Sequence, residues 1–373
     1  MRALQQKTGA VLALETCGRD LTYDWEVVTK SDKFERVTLF AREEEITARV
    51  LGPALRRTLS DWRPDLVAVP GWGDAAALYA LDWAHRHSVP AILMSDSRAG
   101  DSPRSRLSEA VKQLVVRSSA GGLVAGQGHA TYLQALGMDG ARIATGYDVV
   151  DNAHFTNGAE VARSDPGVRG RLGLPDRYIL SIGRLVPKKN LSALIAAHAA
   201  ARDKRPETPD LLLVGSGPEE AALRAQAGEG VVFRGFASYA DVPALIALAE
   251  GLVLASTVEQ WGLVVNEAMA AGCPVLVSER AGAAELLRDG ETGILTAPTV
   301  SGLTEGVQRL LDADRPALAR AAQDAIGLWG PERFATGLLS LADCRPLKPL
   351  AASMLSPILR KLAARTLGAG VGA

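Results

Sequence analysis

With 373 residues, 47% hydrophobic and 22% charged, the chain can bury two cores, which excludes wholesale disorder. A formal net charge of -1 leaves no chain-wide basic footprint for nucleic acid. The three cysteines, Cys17, Cys273 and Cys344, fit no metal-ligand spacing and read as reduced thiols, which points to a cytoplasmic protein.

In chain order, the first half alternates short apolar strands with helical patterns. No secretory signal is read at its start, where Arg2 and Lys7 precede only the short apolar stretch Val11–Leu14, and no later apolar run approaches a membrane span. Strands are predicted at Val11–Glu15, Val37–Phe40, Leu66–Pro70, Ala91–Ser95 and Leu123–Gly126. Helical patterns fill Glu43–Trp62, Asp74–His87, Arg106–Ser118 and His129–Leu136. Asp96 follows an apolar strand, at a carboxyl end where parallel sheets present ligand-binding groups. It serves equally well as a cap for the Gly100-Asp-Ser-Pro103 turn. Arg104, Arg106, Lys112 and Arg117 make a basic helical region, read as a solvated face with an anionic acceptor or membrane surface as the sharper alternative. A seam is predicted from Asp151 to Gly167, where Asn157-Gly158 and Asp165-Pro166-Gly167 are breaker signals.

The second half repeats the rhythm, with strands at Tyr178–Ile182, Leu211–Val214, Val231–Phe233, Leu252–Ala255, Val275–Ser278 and Gly293–Leu295. Its helices begin near Leu191, Pro218, Asp241, Leu263 and Ala283. Strand–helix alternation through both halves predicts an α/β protein with two doubly wound parallel sheets and a ligand cleft between them.

Four segments of this half bear on chemistry. In Ser181-Ile-Gly-Arg-Leu-Val-Pro-Lys-Lys-Asn190, Arg184 and Lys189 flank a loop after Gly183, where two cations can neutralise a diphosphate; Asn190 is expected to cap the next helix. Leu213-Val-Gly-Ser-Gly-Pro-Glu219 places a Gly-x-Gly turn at Gly215, fully explained as a tight strand-to-helix turn. Phe236 closes Val231-Val-Phe-Arg-Gly-Phe236 and can belong to the core. The most informative segment runs from Glu259 to Pro274. It sets Glu259 and Glu267 around Gly262, whose helix start offers free amides to an anion, with Gly272 and Pro274 closing the helix. Glu267 lies among Leu263, Val264, Val265, Ala268 and Met269, a costly place for a carboxylate without donors.

The first and last of these segments resemble the Gly-Arg-x4-Lys and Glu-x7-Glu motifs of the retaining, family-four glycosyltransferases of the GT-B fold (glycosyl transferases group one). Gly146-Tyr-Asp-Val-Val-Asp-Asn-Ala-His-Phe155 is similar to that family's Asn-Gly-Val-Asp…Phe segment, departing at Tyr147-Asp148. The resemblance implies two Rossmann-like domains: 1–160, on the acceptor side; 161–330, binding the donor; and 331–373, C-terminal helices crossing back, with an amphipathic tail. By the motifs, Arg184 and Lys189 bind the donor diphosphate, Glu259 the sugar and Glu267 the ribose. Backbone at Gly262, Leu263 and Val264 holds phosphate or sugar oxygens, while Gly183, Gly215 and Phe236 line the nucleotide. Asp96 stands where relatives tend to have a histidine facing the acceptor.

The implied activity moves a sugar from a nucleotide-diphosphate donor, such as a UDP- or GDP-sugar, to a hydroxyl acceptor, with no cofactor or metal. Asp312-Ala-Asp314 is read as a helix end rather than a metal bridge. The alternatives are a non-catalytic sugar-nucleotide-binding subunit and a GT-B-like epimerase. The tail from Met354 to Arg365, apolar and basic, suits docking on the first domain or peripheral contact with a membrane.

Overall fold

The computed structural model describes residues 1–18, 33–101, 104–345 and 352–369. Residues 102–103 of the expected turn, 346–351 and 370–373 of the tail, and the side chain of Met354 lie outside that description. Contacts divide the chain into Val149–Gly330 and a unit made of Met1–Asp148 with Pro331–Ala373. The expected boundary at residue 160 falls inside a helix, Asn152–Ser164. The breaker signals at Asn157-Gly158 are overridden there. Asp151 caps the helix by accepting from His154 N at 3.3 Å, and Phe155, Ala159 and Ala162 bury one face. Gly158 suits that packing, since a Cβ there would meet Pro243 at 2.6 Å.

In the first unit, β1 (Leu12–Cys17) and β2 (Glu35–Phe40) pair in parallel. A four-stranded parallel sheet follows, β3 (Val67–Pro70), β4 (Ala91–Ser95), β5 (Gly121–Val124) and β6 (Ile143–Thr145), in that spatial order. The sequence reading missed β6, whose three residues are too few for a periodic signal. The core centres on the Ala75–His87 helix, where Leu78, Leu81 and Trp83 are buried against Val69 and Leu93.

The C-terminal helix Ala352–Ala369 completes this core, with Leu355, Leu359 and Ala363 fully buried in it. The apolar stripe that suited a membrane is therefore spent on packing. Among the described residues no helix is long and apolar enough to cross a membrane. The helix is also held by charge. Asp82, 1% exposed, accepts from Arg86 Nε at 3.1 Å and from Arg360 Nε at 2.9 Å, while Arg86 Nε reaches Ser356 Oγ at 2.8 Å. Burial opposes ionisation of Asp82, but the hydrogen bonds from Ser356, Arg360 and Arg86 hold its carboxyl below the usual range.

The second unit holds one six-stranded parallel sheet: β7 (Tyr178–Ile182), β8 (Asp210–Val214), β9 (Val231–Gly235), β10 (Gly251–Leu254), β11 (Val275–Ser278) and β12 (Ile294–Thr296). Their spatial order is β12-β11-β10-β7-β8-β9. The chain fills one side from β7 outward, then the other from β10 outward. Loops leaving the carboxyl ends of β7 and β10 therefore diverge, which opens a crevice there. Helix starts agree with expectation except near Ala283, where Gly282–Leu286 is a short 3-10 turn.

Asp82→Ala should lower stability by about 2 kcal/mol in urea denaturation, toward the low end for a buried pair because both arginines still reach water. Since the folded pKa is depressed, the wild-type contribution is present above the unfolded carboxylate value near 3.8 and is lost as pH falls further. An equal acid sensitivity in the variant would remove Asp82 from that role.

Candidate functional site

The sequence-predicted donor residues lie at the carboxyl ends of β7, β8, β9 and β10. Three loops interlock there through their backbones. Gly183 N donates to Val214 O at 3.0 Å, Leu185 N to Ser216 O at 2.9 Å and Gly215 N to Gly235 O at 2.7 Å. Gly215 is required at this crossing: its φ is 134°, and a Cβ would lie 2.0 Å from Gly183 O. The following residue after Gly235, Phe236, is 54% exposed, so the core reading for it is set aside.

Asn190 joins these loops to β10, though not as the expected cap. Its backbone is left-handed, φ 59°, and no side-chain cap bond forms. The carboxamide instead donates to Ala255 O and Pro298 O, both at 3.0 Å. Thr257 N adds a bond to Lys188 O at 2.9 Å. These ties bring Lys189 onto Glu259, with Nζ in direct contact with Oε2. The two side chains are only 17% and 11% exposed. Ser256 Oγ, fully buried, donates to the same Oε2 at 2.9 Å. The sequence reading passed over Ser256, although a serine three residues before a buried acid is a recognisable local donor.

Beyond Glu259 the loop is pinned from β11: Gly282 N donates to Glu259 O at 3.0 Å and Ala283 N to Trp261 O at 2.9 Å. Gly262, φ 104°, begins the Leu263–Ala270 helix, where Val265 N donates back to Gly262 O at 2.9 Å and the amides of Leu263 and Val264 lie at the helix start. Leu263 is 40% exposed and Val264 half-buried at that end. Glu267 sits one turn in, beside the buried Val265, Asn266, Ala268 and Met269. Burial pushes its carboxyl up to about 7. An anion at Arg184, Lys189 and the helix start, with two carboxylates as hydroxyl acceptors, is what this arrangement can hold.

Asp96 belongs to the first unit and is not brought to this cluster by contacts within the second. It faces Asp148 and Tyr147 electrostatically. Burial and the Asp96 charge push Asp148 up to about 7, and burial with both acids pushes Tyr147 up to about 12. In the turn after β4, Asp101 accepts from Arg98 N at 2.6 Å. The basic helical region is partly neutralised: Glu109 accepts from Arg104 at 2.8 Å and from Lys112 at 3.0 Å. Asp314 caps the Arg315–Ile326 helix, accepting from Ala317 N at 3.0 Å, and Asp312 pairs with Arg205 at 2.6 Å. A cavity of about 470 Å³ elsewhere in the second unit, lined by His154, Val161, Arg171 and Pro243, includes none of the donor-motif residues.

Residues 169–326 match the family described as glycosyl transferases group 1, and residues 3–147 match the glycosyl transferase 4-like domain. Alpha-D-kanosaminyltransferase of Streptomyces kanamyceticus is 33% identical over 168 residues, 43% of each chain. Glycogen synthase of Mycobacterium tuberculosis is 30% identical over 276 residues, 70% of this chain and 63% of the relative. The chain thus matches less than two thirds of the length of these curated relatives. Among solved structures, sucrose-phosphate synthase from Thermosynechococcus elongatus superposes with a TM-score of 0.71 at 20% identity, covering 91% of this chain and 90% of that one. Anabaena HepE in complex with UDP gives 0.63 at 20% identity, covering 88% and 86%. These likenesses establish the GT-B fold.

Gly215→Ala should add a Cβ against Gly183 O and displace the Arg184 loop. We expect a stability loss of about 1–3 kcal/mol and weaker binding of UDP or GDP by calorimetry. Wild-type affinity would mean the loop does not depend on this close approach.

Proposed function

The chain belongs to the glycosyl transferases group 1 family, and from that premise we propose that it transfers a sugar from a nucleotide-diphosphate donor to a hydroxyl acceptor, with retention at the anomeric carbon. The observation that carries this reading is the contact of Lys189 with Glu259, which joins the β7 and β10 loops beside the Gly262 helix start. Arg184 and Lys189 bind the diphosphate, the leaving group. Negative charge grows on it as the glycosidic bond breaks, and the two cations with the amides of Gly262, Leu263 and Val264 stabilise that charge without a metal. Glu259 accepts from the sugar hydroxyls and Glu267 from the ribose. The acceptor oxygen attacks on the face the diphosphate leaves, and its proton passes to the departing phosphate oxygen. In the first unit Asp96, with Asp148 beside it, orients the acceptor hydroxyl.

The test is nucleoside diphosphate release with and without candidate acceptors. Arg184→Ala and Lys189→Ala should each lose at least about tenfold in turnover, given roughly 1.5–3 kcal/mol for a charge-assisted hydrogen bond, while remaining folded. Near-normal turnover in both removes them from the site. Conversion of the donor with no acceptor present would identify an epimerase. Activity should survive a chelator; loss with EDTA and recovery with magnesium would reject the metal-free mechanism.

Glu267 also makes a pH prediction. Its folded pKa is raised from 4.5 to about 7, so the empty protein loses stability as pH rises through that window. Ribose hydroxyls donate to the ionised carboxylate, so affinity for an intact nucleotide sugar should rise from about pH 6 to about pH 8. Glu267→Gln should flatten both profiles. An unchanged affinity profile in that variant would reject the ribose assignment.

A further inference from the structure

Trp261 stands between Glu259 and Gly262 and is 2% exposed. Its indole Nε1 donates to Asn266 Oδ1 at 2.9 Å, inside the helix that Gly262 begins. Its ring lies on that of Trp329, with centroids 5.6 Å apart and planes at 13°. Stacking at this separation is attractive beyond simple burial. The Asn266 contact is local to the donor loop. The Trp329 contact comes from far along the chain.

Trp329 follows the Arg315–Ile326 helix, and its backbone N donates to Ile326 O at 2.8 Å. That same carbonyl accepts from Asn152 Nδ2 at 3.0 Å. Asn152 lies just after the chain enters the second unit at Val149, and Trp329 just before it leaves at Gly330. Both passages of the chain are therefore anchored at Ile326, and the indole of Trp329 extends that anchor to the donor loop.

We propose that Trp329 is a positioning residue for sugar transfer: by stacking on Trp261 it holds Glu259 and the amides after Gly262 in the arrangement that receives the donor sugar and leaving phosphate. This rests on the donor-site reading of the loop. Without the ring, the loop keeps its ties to Gly282 and Ala283 but loses the support on the face of Trp261. Small misplacements of groups acting on a transition state cost rate steeply. Free nucleoside diphosphate is held mainly by Arg184, Lys189 and Glu267, so its affinity is much less sensitive.

The test combines amide hydrogen exchange with kinetics on the full chain, comparing Trp329→Ala and Trp329→Phe. In the alanine variant, amides of Gln260–Val265 should exchange at least about tenfold faster without ligand, while β7 and β8 keep wild-type protection. Its kcat with a UDP- or GDP-sugar should fall about tenfold, and its Kd for free UDP or GDP should change by less than about threefold. Phenylalanine should restore both readings. Wild-type exchange over Gln260–Val265 in the alanine variant overturns the proposal, and so does an equal loss of protection in β7 and β8. If wild-type protein binds no nucleotide or sugar nucleotide, the donor reading fails and the transfer role with it, while the exchange result still shows whether Trp329 orders the loop.

Discussion

The reversal of strand order between β7 and β10 is the constraint on which the candidate site depends. Two adjacent parallel strands whose connections run to opposite sides leave their carboxyl-end loops without a covering helix between them. That gap has to be closed by backbone and side-chain bonds instead. Thr257 N to Lys188 O and the two bonds from Asn190 do so. Asn190 can reach both carbonyls because its backbone is left-handed, which turns the side chain away from the helix it precedes.

Closing the gap puts charge in a half-buried place, and the two acids of the Glu259–Glu267 pair meet this differently. Glu259 has a cation and a hydroxyl on one oxygen, from Lys189 and Ser256. For Glu267 the shift has burial as its cause, and the carboxyl moves to about 7. Glu259 is thus held by partners from two loops, while burial governs the protonation of Glu267.

In the first unit the C-terminal helix supplies core that the N-terminal segment lacks. Leu355, Leu359 and Ala363 fill the surface of the Ala75–His87 helix, and Asp82 fixes the register through Arg360. An acid at 1% exposure accepts such a role only with donors on both oxygens, and here they come from two helices distant in sequence.

The sequence by itself determined the parallel α/β class and nearly every strand, because period-two and helical patterns, glycine turns and charges at strand ends are local signals. The sequence marks Arg184, Lys189 and Glu259 as charges at strand ends, and the structure brings Lys189 onto Glu259. Tertiary structure decided what local signals could not. The helix through Asn157-Gly158 forms because Phe155, Ala159 and Ala162 find a partner surface. The amphipathic tail packs on protein because Leu355 and Leu359 meet an apolar helix and Arg360 meets Asp82. Asn190 and Trp329 matter through partners far away in sequence or through a backbone angle, and neither quantity is written in the residue type.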